Sequence, residues 1–253
     1  MAVALPVDWL VAILLTSVRI AAWLVLAPPF SSRAVPGTVK ALLSVAVALP
    51  LAPTVRTDLP PLDAVGLGVA VAWQVVVGGG LGFVCYLLFI AFQTAGDLLD
   101  LSGGFALTFA FDPFMQAMNS VLGRFYALMA ATLLLVTDAW LLVWRALLAS
   151  FRVLPLDATG DPARFATVVT DGIGEMALVS LQIAGPLLTV LFLADVGLGL
   201  ATRIAPQLNA FANGFPLKIL LTLALLGLSL ASMPSTVVGI AERIVVSLGR
   251  VLG

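Results

Sequence analysis

The chain has 253 residues, 62% of them hydrophobic and only 10% charged, with a net charge of −1 and a mean hydropathy of +1.17. A soluble domain needs about 25% charged residues to cover its surface, so the outside of this fold must be apolar and face lipid or protein. Balanced charge excludes a nucleic-acid surface; one cysteine and no histidine exclude a disulfide framework, an intrachain zinc site and the commonest general base.

Six apolar segments follow in order: Val7–Ala27, Thr38–Val55, Val65–Phe92, Phe125–Leu147, Met176–Leu200 and Phe215–Ile240. Each is roughly 18 to 28 residues, enough to cross a hydrocarbon core of about 30 Å as a helix. The expected fold is therefore an all-α membrane protein of about six long helices. No Lys or Arg precedes the first segment, and it is too long for a signal-peptide core, so it reads as a retained helix. No intervening stretch is long enough to fold alone, which predicts one domain over 1–253. If all six segments span, six cations fall on one side and five on the other, and the positive-inside rule gives no orientation.

Within the first and fourth segments lie Arg19 and Asp138. A charge at the bilayer centre costs about 2.5–3.5 kcal/mol, so each needs a partner or a wet cavity. A structural ion pair, with each other or with a neighbouring subunit, is the simpler reading. A proton or ion relay is the alternative, although no second carboxylate or histidine chain accompanies Asp138. In the third segment, Gly78, Gly79, Gly80 and Gly82 include a GxxxG spacing that lets helix backbones approach closely. They lack the Lys-Ser/Thr of a phosphate loop. Cys85 reads as a small buried hydrophobe. Pro186 and Pro234 fall inside the last two segments, where each removes a backbone donor and predicts a kink.

Between the third and fourth segments, Gln93, Asp97 and Asp100 give a polar start to a Phe- and Met-rich stretch. That stretch comprises Gly103, Gly104, Phe105, Phe109, Phe111, Asp112, Pro113, Phe114, Met115 and Met118. It is too broken to span and too apolar for a free surface loop, so it must be buried in protein. A deformable seal folded into a pore and a packing loop of no mechanistic interest both fit. Before the last segment, Pro206, Gln207, Asn209, Gly214, Pro216 and Lys218 read as a helix–helix connection.

That connection, Ala205-Pro-Gln-Leu-Asn-Ala-Phe followed by Gly214-Phe-Pro-Leu-Lys218, resembles the signature of the FliR family of flagellar export-apparatus membrane proteins. The injectisome counterpart of that family is SctT. Pro28-Pro-Phe30, Pro36 through Lys40, Gly96 through Asp100, Gly103 through Pro113, Asp138 and Leu154-Pro155 match in the same order. The valine-rich run Val65–Val77 departs from the pattern, and Gly-Phe-Pro-Leu-Lys favours the flagellar branch.

The resemblance implies a subunit of a helical assembly with FliP-like and FliQ-like proteins, next to FlhB, in the bacterial inner membrane at the flagellar basal body. The assembly is partly raised toward the periplasm, with lipid around it, and unfolded flagellar proteins pass through. It implies no cofactor and no enzymatic activity, and it assigns Gly103 through Met118 to plugging the closed lumen. A secondary transporter using Arg19 and Asp138 is the rival; an intramembrane enzyme lacks a nucleophile–base pair or metal ligands.

Overall fold

The computed structural model describes residues 6–32, 35–55, 59–105, 120–157, 162–205 and 210–252. Among the described residues there are seven α-helices and no strand. They are α1 (Val7–Leu26), α2 (Gly37–Val55), α3 (Ala64–Gly103), α4 (Val121–Val136), α5 (Trp140–Val153), α6 (Pro162–Ile204) and α7 (Ala210–Leu252). Helices follow from the composition, because in lipid a helix satisfies every backbone N–H and C=O within its own segment. Five helical stretches are long and apolar enough to cross a membrane, and α4 with α5 supplies a sixth if the bent pair counts as one.

Several boundaries differ from expectation: α6 starts at Pro162, well before Met176, and α7 runs from Ala210 to Leu252, so Gly214, Pro216 and Lys218 are helical rather than part of a connection. The third segment continues past Phe92, so Gln93, Asp97 and Asp100 belong to α3, a helix of 40 residues and about 60 Å. The stretch Gln93–Asp100 holds no proline, and Asp100 Oδ2 accepts from Val121 N at 2.8 Å, so nothing stops the helix there. The fourth segment is not one helix: it breaks after Val136, and α4 and α5 are bent by 76°. Asp138 causes the corner by adopting φ 55, the left-handed region that ends a right-handed helix and that Asp tolerates better than most side chains. Thr137 closes α4, its backbone N–H and its Oγ1 both donating to the Leu133 carbonyl oxygen, at 2.9 and 2.8 Å. Pro186 and Pro234, by contrast, lie inside continuous helices.

The described residues pack as two compact units. The first holds α1, α2, the start of α3 as far as Leu87, α5, the beginning of α6 and the end of α7. There α1 packs on α2 and buries Leu15, Ile20, Trp23 and Leu24. Trp23 meets Phe30 and Trp144 at ring separations of 6.0 and 5.1 Å, and Cys85 is buried. The second unit holds the rest of α3, α4, the remainder of α6 from Gly174 and the start of α7 as far as Ile240. Its interior includes Phe92, Leu99, Tyr126 and Leu134, and the Tyr126 hydroxyl lies 2.9 Å from Ser229 Oγ.

Candidate functional site

Two polar anchors stand out, one in each unit. In the first, Arg19 is fully buried. Its Nε donates to Gln74 Oε1 at 2.6 Å, Nη1 to the carbonyl oxygen and Oγ of Ser150 at 3.2 and 3.4 Å, and Nη2 to the Leu154 carbonyl oxygen at 2.8 Å. The guanidinium also lies 4.3 Å from the centre of the Phe151 ring. Burying a bare charge costs several kcal/mol; charge-assisted hydrogen bonds return about 1.5–3 kcal/mol each. The negative end of the α5 dipole adds to them, since Ser150 and Leu154 form its C-terminus. Pro155 ends α5 at Leu154, which leaves that carbonyl available. Gln74 completes the network by donating from Nε2 to the Leu156 carbonyl oxygen at 3.3 Å.

No ion pair joins Arg19 to Asp138. Arg19 has neutral partners, and Asp138 is exposed at the α4–α5 corner. Of the partners the sequence left open, Arg19 takes neither Asp138 nor another charge among the described residues but a clamp on Gln74 and the end of α5. Gln74 went unread in the sequence, although it is the lone amide in the apolar run from Val65 to Phe92; the carbonyl partners carry no sequence signal, because they depend on where α5 ends.

Close backbone approach surrounds this clamp. A Cβ added at Gly78 would collide with the Arg19 carbonyl oxygen, and one at Gly82 would stand 2.9 Å from that of Trp23. Gly79 has only Leu26 Cδ1 nearby, at 4.0 Å, and Gly80 is buried.

The second anchor surrounds the entry to the Phe-rich stretch. Of that stretch, Gly103, Gly104 and Phe105 are described; Phe109, Phe111, Asp112, Pro113, Phe114, Met115 and Met118 lie outside the described residues, as do Pro206, Gln207 and Asn209. Gly104 has φ 87, and a Cβ there would come 3.1 Å from Phe215 Cδ1. A Cβ at Gly103 would stand 2.6 Å from Thr222 Oγ1. Lys218 donates from Nζ to the Ser102 carbonyl oxygen at 3.4 Å and forms an ion pair with Asp195. The structure thus brings Gly103 and Gly104 together with Phe215 and Lys218, more than a hundred positions later. Gly214 packs toward α6, where Leu198 Cδ1 would be 3.3 Å from an added Cβ; Pro216 is exposed.

The exit is anchored as well. Ser120 caps α4, its Oγ accepting from Gly123 N at 2.8 Å, and Asp100 Oδ2 accepts from Val121 N at 2.8 Å. These oxygens satisfy N–H groups that the first turn of a helix leaves unpaired. A carboxylate beside the positive end of α4 is further favoured by the helix dipole. Gly96 and Gly123 permit the crossing, since a Cβ on Gly96 would lie 2.6 Å from Gly123 Cα. Asp195 and the Gly96–Gly123 contact had no sequence signal beyond their residue types. No cluster of metal-ligating side chains occurs among the described residues.

Long apolar helices, with no strand among the described residues, define an all-α membrane protein. The family model described as bacterial export proteins, family 1, matches residues 10–244. Flagellar biosynthetic protein FliR of Pectobacterium carotovorum subsp. carotovorum is 32% identical over 228 residues, 90% of this chain and 87% of that protein. FliR of Escherichia coli (strain K12) is 31% identical, over 82% of this chain and 80% of its own length. The Yop proteins translocation protein T of Yersinia pestis is 29% identical, over 62% and 61%. The chain belongs to this family of bacterial export proteins, the FliR/SctT family. It is a membrane subunit of a type III export apparatus.

Proposed function

We propose that this chain is a flagellar-branch subunit of the export gate and that residues 103–118 help plug its closed lumen. The subunit works as one domain over its whole length, without a cofactor or a catalytic centre. It assembles with FliP-like and FliQ-like subunits next to an FlhB-like protein in the inner membrane at the flagellar basal body. Unfolded flagellar proteins pass through the channel they enclose. α3, α6 and α7, at 40, 43 and 43 residues, are about twice as long as a hydrocarbon core requires, which favours an assembly raised partly toward the periplasm.

The observation that carries the plug assignment is the fastening of the Phe-rich stretch at both ends. Lys218 holds the Ser102 carbonyl where it begins, and Asp100 holds Val121 where it ends. A loop pinned in this way can be rich in deformable Phe and Met and still keep its place. The test replaces residues 105–118 by a Gly/Ser linker of equal length, with the FliP- and FliQ-like genes of the same source co-expressed. The hetero-oligomer should persist in native mass spectrometry while the membrane becomes leaky to small solutes. An assembled variant with no added leak removes the plug, and a chain that ignores those partners removes the gate.

A further inference from the structure

Beside the Arg19 clamp, the first unit holds a cavity of about 610 Å³ between α2 and α5. Its apolar lining is Leu51 and Val55 from α2 with Leu148 and Phe151 from α5, and its cations are Arg145 and Arg152. The two arginines stand seven positions apart, two helical turns, and so share one face of α5. Both are exposed, and neither forms an ion pair among the described residues. Neither α2 nor α5 carries a carboxylate, and Asp157, beyond Pro155, does not line the cavity. A third cation reinforces the field, because the buried guanidinium of Arg19 rests on Phe151, which lines the cavity.

Two arginines over an apolar floor match a ligand with an anionic head and a hydrocarbon body. The guanidinium fork suits phosphate oxygens. The volume falls in the range that holds a ligand of several hundred daltons rather than a bare anion. Basic pockets between membrane helices are where acidic lipid headgroups bind. We propose that this cavity is a binding site for an anionic phospholipid. The headgroup phosphate lies between Arg145 and Arg152, and an acyl chain runs along Leu51, Val55, Leu148 and Phe151.

The test is a lipid titration of the full-length, detergent-extracted chain by native mass spectrometry, with phosphatidylglycerol against phosphatidylcholine. Phosphatidylglycerol should bind more tightly. Arg145→Gln or Arg152→Gln should each weaken it about five-fold, and the two together about twenty-five-fold, with phosphatidylcholine unaffected. Arg145→Lys with Arg152→Lys should keep most of the preference. Ala149→Trp, which fills the cavity while leaving both charges, should lose it, and this variant decides the matter if the double Gln variant does not fold. Equal binding of the two lipids, or an unchanged preference in the double Gln variant, would overturn the site. So would displacement by excess inorganic phosphate with Ala149→Trp unaffected, which marks a free-anion site. A helix of another protein filling the cavity in natively extracted complexes, with no retained lipid, would also overturn it.

Discussion

Lys218 of α7 forms an ion pair with Asp195 of α6 and, from the same ammonium, donates to the Ser102 carbonyl oxygen at the end of α3. Its two partners differ in worth. The Asp195 side chain is 48% exposed, and an ion pair so open to solvent contributes on the order of 0–1 kcal/mol. Asp195→Asn should therefore leave the thermal midpoint nearly unchanged. Lys218→Met removes the donor from the Ser102 carbonyl as well and should cost about 1–3 kcal/mol, with a loss of export in complemented cells. Equal losses in both variants would show that the charge pair, not the carbonyl contact, holds the entry to the Phe-rich stretch.

The Arg19 clamp makes a sharper prediction. Arg19→Met strands Gln74 and the Leu154 carbonyl without a donor, at about 1–3 kcal/mol for each. The expected total is therefore on the order of 3 kcal/mol or more, read as a lower thermal midpoint or failure to fold. Arg19→Lys should recover only part, because a compact ammonium cannot reach acceptors that a planar fork reaches on Gln74, Ser150 and Leu154 together. Full recovery by lysine would mean that charge alone matters.

Neighbouring glycines should behave differently. Gly78→Ala drives a methyl into the Arg19 carbonyl oxygen and should destabilise by about 1–3 kcal/mol, the usual range for overpacking. Gly79→Ala meets only Leu26 Cδ1, at 4.0 Å, and replaces a poor helix former by the best one, so it should be neutral or stabilising by up to about 1 kcal/mol. Folded yield and thermal midpoint in detergent would separate the two; a matched response would undercut the close crossing of α1 and α3.

Asp138 offers a test of shape against charge. Its φ of 55 suits glycine, whereas a β-branched side chain is disfavoured there by about 1–2 kcal/mol. Asp138→Gly should therefore support folding and export, and Asp138→Val should impair both. If the glycine variant folds normally yet exports nothing, the carboxylate itself is needed, as the relay reading of Asp138 requires.

Much of this protein was determined by composition and run length. Ten percent charge forces an apolar exterior, and apolar runs too long for strands must be helices, so the all-α membrane class follows from the chain itself, while the ends of its helices and the break in the fourth run do not. The need of Arg19 for a partner was equally legible, since an intramembrane cation cannot stay bare. Tertiary structure alone chose the partner. Gln74 meets Arg19 because Gly78 and Gly82 let α1 and α3 approach, the end of α5 offers its carbonyls where Pro155 stops the helix, and neither leaves a mark on hydropathy. The same holds for Lys218 with Asp195 and for Gly96 with Gly123. Each is an ordinary residue in an apolar run until packing sets it beside another, and long-range contact is written in three dimensions, not in the spacing of residues along one segment.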